Sequence, residues 1–173
     1  NGLLPAGILN ITTDIYALRV MASDRKEHFV DVFSELEGIA KVQSVKSSNE
    51  IEGIVTTEER IHEIVNGNSA PLNHNEQEIA GYRDALAEVH TEYGAMDFCQ
   101  SDICRLHSIM MNIAGYSNAG KYKEYDNDII EEDKNGRRRV RFHPTSAADT
   151  PLEMEQLELA YREARDHSGI NQL

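Results

Sequence analysis

The sequence predicts a mainly α-helical bundle interrupted by one β-hairpin. Apolar residues recur at three- and four-residue spacing over most of the chain, and one Asn-Gly pair separates two extended-looking stretches. The length of 173 residues falls within one ordinary domain, a size at which roughly 70% of the extended-chain surface is buried without staples.

The first element expected is a short helix around Asp14 to Met21. From Asp24, the residues Phe29, Phe33, Leu36, Ile39 and Ala40 share one side while Glu35, Glu37 and Lys41 fall elsewhere, which predicts one long amphipathic helix. Thr56 and Glu59 form a capping-box pattern opening a short helix with Ile61 and Ile64 on one side, ended by Asn66-Gly67-Asn68. Two further helices carry the ladders Ile79, Tyr82, Leu86, Val89, Tyr93 and Ile103, Leu106, Met110, Ile113. Tyr122 to Ile130 and Arg137 to Phe142 then flank Asp133-Lys134-Asn135-Gly136 as the arms of a hairpin. On the second arm Val140 and Phe142 share the face expected to cover the bundle, and Arg137, Arg139 and Arg141 share the other. Thr150 as N-cap, Pro151 at the first helical position and Glu153 open a last helix with Met154, Leu157 and Tyr161 inward.

Composition narrows the function. The 17 Lys and Arg against 30 Asp and Glu give a formal net charge of -13, which repels a phosphate backbone. The one basic cluster, Arg137, Arg138, Arg139 and Arg141, has only Phe142 beside it to stack on bases, so no nucleic-acid partner is expected. No apolar run approaches the roughly 18 residues of a membrane span, and the first residues lack the basic start of a secretory signal. No membrane partner and a cytoplasmic location are therefore expected. Cys99 and Cys104 fit no disulfide framework or zinc motif and are read as reduced thiols.

The seven histidines lack metal-ligand spacing, so no metal site is predicted, and His107 is read as a hydrogen-bonded packing residue. Asp126, Asp128, Glu131, Glu132 and Asp133 resemble a calcium loop, but its sixth position is Glu131 where glycine is needed. These acids are expected to face the basic arm across the hairpin. Neither common glycine-rich phosphate loop is present.

Ser47 to Gly53 remains. Ser48 and Glu52 lie four apart and share a helix face. One reading is a helix C-terminus with Gly53 as its left-handed cap. A Glu in the last turn opposes the helix dipole, however, so the carboxylate is expected to serve something other than the helix.

Ser48 to Gly53 also matches the inhibitory signature of the Fic family: Ser or Thr, three residues, Glu, then Gly or Asn. Glu78 to Tyr82 (E-I-A-G-Y), Leu106-His107, Gly120-Lys121-Tyr122-Lys123, the hairpin, Pro144 and the capped last helix resemble the family in order, over roughly residues 25–165. Lys123 stands where many members carry Arg, which keeps the charge and loses a bidentate fork. The resemblance implies a Fic-like helical bundle with a hairpin flap (about 122–142) whose C-terminal part is missing. Residues 1–95 would form a helical region carrying the inhibitory helix (about 47–53), and residues 96–173 the first part of the Fic domain. The family's His-Pro-Phe and Gly-Asn-Gly-Arg motif lies further downstream than Leu173, so no catalytic residue and no activity are expected within these residues. The start at Asn1 without Met and the end without a helix-stop signal agree with a longer protein.

For that longer protein the resemblance implies transfer of AMP from ATP, with Mg2+, to a Ser, Thr or Tyr hydroxyl of a target protein the residues do not identify. The inhibitory residues would be Ser48, Glu52 and Gly53, and the flap residues touching nucleotide or target Ile129, Ile130, Val140 and Phe142. ATP and Mg2+ would not be held by this segment alone. The apolar stripe of the last helix predicts self-association, making a homo-oligomer an expected form. Two alternatives stand beside this: a Fic enzyme that removes AMP, and a non-catalytic helical protein-interaction module.

Overall fold

The computed structural model describes residues 6–167; the termini at Asn1 and Leu173 lie outside them. The described chain is mainly helical with one small antiparallel hairpin: α1 (Ala6–His28), α2 (Val30–Ile51), α3 (Glu58–Val65), α4 (His74–Glu92), α5 (Gln100–Asn112), β1 (Ile129–Glu132), β2 (Arg138–Phe142) and α6 (Thr150–His167). Among the described residues no helix is long and apolar enough to cross a membrane. Two compact units divide the chain, the first running to Ser44 and the second beginning at Val45.

In the first unit α1 starts well before Asp14, and the long helix expected from Asp24 is two helices meeting at Phe29. The backbone ladder continues through the junction: Phe29 N–H donates to Arg25 O at 2.9 Å, and Phe33 N–H to Phe29 O at 3.1 Å. Periodicity misses the start of α1 because its apolar residues, Ile8, Leu9, Ile11 and Ile15 among them, follow no single stripe and are exposed. Phe29, Leu36 and Ile39 are exposed as well.

The second unit holds the core. Val45 from the end of α2, Ile61 and Ile64 from α3, and Ile79, Ala80 and Ala85 from α4 are buried. The short helix is capped by Thr57, whose hydroxyl accepts from Arg60 N–H at 3.3 Å, one residue later than the Thr56 pattern implies. Thr56 is occupied elsewhere: its hydroxyl donates to Glu76 Oε1 at 3.0 Å. Glu76 is fully buried and also accepts from Arg60 Nε (3.1 Å), Arg60 Nη2 (2.6 Å) and Leu72 N–H (2.8 Å). The Arg60 guanidinium first, with the other donors, holds the Glu76 carboxyl at about 2. Asn73 caps α4 by accepting from the Glu76 N–H.

α4 and α5 approach until their backbones touch. A Cβ on Gly81 would lie 1.9 Å from Met110 O, so only glycine fits there. Cys99, at the N-cap of α5, offers no side-chain cap, and Glu158 of α6 supplies one by accepting from Gln100 N–H at 2.9 Å. Thr150 is not the cap of α6. Ser146 and Asp149 form the turn that starts it: the Ser146 hydroxyl accepts from Asp149 N–H at 3.1 Å and donates to Asp149 Oδ2 at 2.6 Å. Leu157 and Tyr161, expected inward, are exposed, although Tyr161 packs on Phe98 with ring centroids 4.8 Å apart.

The hairpin is shorter than its first arm implies, because residues 122–128 are not strand. Glu131 opposes Arg139 and Glu132 opposes Arg138, with a register shift between Ile129 and Ile130. The expected crossing of acids to the basic arm is met by two of the five: Arg139 pairs with Glu131 and Arg138 with Glu132, each at 2.8 Å, whereas Asp126 and Asp128 bond to Ala147 and His143 and Asp133 to backbone amides of the turn. The expectation that Val140 and Phe142 cover the bundle is not met. Every strand residue except half-buried Glu131 is exposed.

Gly81→Ala is expected to destabilise the fold. Alanine's helix preference favours it by about 1 kcal/mol, but forcing apart two touching backbones costs about 1–3 kcal/mol, which a lowered urea midpoint will show. Glu76 predicts an acid dependence. Its folded value near 2 lies below its ordinary 4.5, so its contribution is complete above the unfolded value and is lost as pH falls through the folded one. Urea midpoints measured across that window should fall with pH, and Glu76→Gln should remove that part of the slope.

Candidate functional site

The end of α2 is fixed by its own backbone. Gly53 takes φ +76°, Gly53 N–H donates to Glu50 O and Ile54 N–H to Asn49 O, both at 3.0 Å, which is the double-bonded glycine cap of a helix C-terminus. Asn49, buried one turn earlier, donates from Nδ2 to Val45 O at 2.8 Å. The capped last turn carries Ser48, and Glu52 follows directly after Ile51.

Both line a cleft of about 710 Å³. Asn49, Ile51 and Ile54 join them from the end of α2 and the residues after it, Glu78 and Tyr82 come from α4, and Met110 and Met111 from α5. The Tyr82 hydroxyl donates to Ser48 Oγ at 2.9 Å. Glu52 is exposed at the cleft, and its side chain has no hydrogen-bond or ion-pair partner among the described residues. Glu50 does not line the cleft. It adds to the rise of the Lys46 pKa, for which a hydrogen bond from Lys46 to Glu58 at 3.1 Å is the larger cause.

Glu78 is the second carboxylate of the cleft. Its Oε1 accepts from the Tyr116 hydroxyl at 2.6 Å, and His74 Nε2 lies 3.3 Å from the same oxygen and 2.9 Å from the phenol. Giving its proton to that hydrogen bond pushes the Tyr116 phenol up. Among the described residues no Lys or Arg lines the cleft. Two carboxylates beside a Tyr ring and two thioethers make a surface that repels phosphate and suits a cation with a flat face, such as a guanidinium.

The other positions singled out by sequence take up local contacts. His107 Nδ1 accepts from Gly120 N–H at 2.9 Å, so the Leu106-His107 pair and the Gly120 turn are held together, and His107 is the hydrogen-bonded residue expected. Lys123 Nζ donates to Asn127 Oδ1 at 2.6 Å. Asp126 accepts from Ala147 N–H at 2.6 Å and Asp128 pairs with His143 at 2.8 Å, leaving the acidic stretch engaged with protein donors. Among the described residues no group of three His, Cys, Asp or Glu is placed to hold a metal, and Cys99 and Cys104 are free thiols. Ile129 opposes Phe142 and Ile130 opposes Val140 on the exposed hairpin, and none of the four lines the cleft.

Sequence reasoning missed the roles of Tyr82 and Glu78. A signal existed, since the two are four apart on α4 and share a face. Tyr82 also fell in an apolar ladder, and a tyrosine packed there needs a partner for its hydroxyl. No protein-family profile matches the chain, and no curated protein matches it.

The Tyr82 to Ser48 bond predicts coupling between the two residues. A cycle of Tyr82→Phe, Ser48→Ala and the double variant should return about 0.5–1.5 kcal/mol in unfolding free energy. Strict additivity would mean that the bond contributes nothing.

Proposed function

We propose that the chain is the N-terminal regulatory and flap part of a Fic protein adenylyltransferase, which moves AMP from ATP to a Ser, Thr or Tyr hydroxyl of a target protein and is held in check by Glu52. The observation that carries this reading is the carboxylate of Glu52, without a partner among the described residues, at an acidic cleft and one turn beyond Ser48. On this reading an Arg from the Gly-Asn-Gly-Arg loop enters the cleft, pairs with Glu52 and is withdrawn from the γ-phosphate. The two carboxylates of the cleft support assigning ATP and Mg2+ to the catalytic part of the protein, since among the described residues no Lys or Arg lines this wall to offset their charge toward phosphate.

The hairpin fits a flap. Its apolar residues Ile129, Ile130, Val140 and Phe142 are exposed, and a two-stranded sheet leaves a strand edge open on each side for an extended target segment. In the reaction, the catalytic His of the downstream motif takes the proton of the target hydroxyl, whose oxygen attacks the α-phosphorus of ATP and displaces pyrophosphate. Removal of AMP is the second reading, since an unengaged Glu52 can instead orient a water.

Glu52→Gly in the full-length protein tests the proposal. AMP transfer should rise about ten- to hundred-fold, as expected for loss of a charge-assisted contact. Glu50→Gly, away from the cleft, should leave it unchanged. The reading fails if the two variants behave alike in transfer of labelled AMP, and a loss of AMP release in Glu52→Gly would favour the second reading. Residues 1–173 alone should transfer none.

A further inference from the structure

We infer that Tyr82 is the positioning residue of the inhibitory helix, acting through Ser48 to set where Glu52 stands; the inference rests on the proposed function. Three observations lead to it. The Tyr82 hydroxyl donates to Ser48 Oγ at 2.9 Å, a side-chain bond that ties the end of α2 to the middle of α4. Ser48 lies in the last turn of α2 and Glu52 directly follows its final residue, Ile51, with its N–H donating to Asn49 O at 3.0 Å, so a restraint on Ser48 is a restraint on the backbone that carries Glu52. Tyr82 itself sits at a close packing point, because the backbone of Gly81 beside it meets Met110 O of α5 with no room for a Cβ.

The Glu52 side chain, in contrast, has no hydrogen bond or ion pair among the described residues to orient it. Its place in the cleft comes from the glycine cap behind it and from the Tyr82 bond in front. Loss of that hydroxyl leaves the ring packed and the helix formed, but frees the last turn to fray, and a fraying turn holds a carboxylate at any one point for less of the time. Inhibition should weaken while the catalytic groups stay untouched.

The test uses the full-length protein and four variants: Tyr82→Phe, Ser48→Ala, Glu52→Gly, and Tyr82→Phe combined with Glu52→Gly. Tyr82→Phe and Ser48→Ala should each raise AMP transfer about five-fold, the effect of one neutral hydrogen bond, and less than Glu52→Gly does. In the Glu52→Gly background Tyr82→Phe should add nothing, a result that a general structural role would not produce. Hydrogen exchange at the amides of Glu52, Gly53 and Ile54 should quicken in Tyr82→Phe. The inference is overturned if Glu52→Gly activates and Tyr82→Phe does not, if Tyr82→Phe acts equally with and without Glu52, or if those amides are unchanged. Should Glu52→Gly leave transfer unaltered, the proposed function falls, and the amide exchange alone decides whether Tyr82 fixes the helix end.

Discussion

The buried carboxylate of Glu76 is the constraint on which the second unit is built. A carboxylate taken out of water is expensive unless its oxygens are filled, and here four donors from three parts of the chain fill them. Arg60 brings α3, Leu72 brings the loop before α4, and Thr56 brings the segment that leaves the glycine cap of α2. Asn75 adds a second tie by donating from Nδ2 to Val55 O at 3.2 Å. The exit of α2 and the first turn of α4 are thus fastened to one charge. The cleft is built from the residues on either side of that fastening, Ser48 and Glu52 before the exit and Glu78 and Tyr82 after the first turn.

The third wall depends on a missing side chain instead of a charge. Because Gly81 lets the α4 backbone touch Met110 O, α5 is close enough to supply Met110 and Met111. α5 is held by two groups outside itself: Glu158 accepts from its first amide, and Gly120 N–H donates to His107 in its middle. One helix of the cleft is therefore positioned by a buried ion pair and another by close packing plus these two contacts. Charge fixes the polar rim and packing fixes the apolar floor.

How far the sequence discloses this depends on the range of the interaction. The glycine cap at Gly53, the hairpin turn and the apolar ladders of α4 and α5 involve residues within a few positions of one another, and they were legible. Thr56 was misread because its hydroxyl bonds twenty residues away, to Glu76, leaving Thr57 to cap α3. Thr150 was misread for the opposite reason: Ser146 and Asp149 start the helix earlier by a local contact, which a pattern centred on Pro151 does not contain. The face expected to be covered on the hairpin failed because a period of two sorts Val140 from Arg139 without saying what, if anything, lies over either. Ser48 and Glu52 were legible as a pair, but their setting was not, since Tyr82 stands 34 residues from Ser48.

The position of Glu52 has a physical logic on the proposed reading. At a helix C-terminus its charge meets the negative end of the dipole, but it is exposed, so solvent screens that repulsion and the fold loses little. A carboxylate already paired within the chain would have to break that pair before accepting an incoming guanidinium. Glu52 has only water to shed. Its backbone is also held beforehand, by the Gly53 and Ile54 amides and by buried Asn49, so little further ordering is needed when a cation arrives. An unengaged side chain on a rigid turn is thus a better inhibitor than an engaged one on a mobile turn. On the same reading inhibition would be reversible, because whatever loosens the turn lowers the local concentration of the carboxylate without unfolding the helices that carry it.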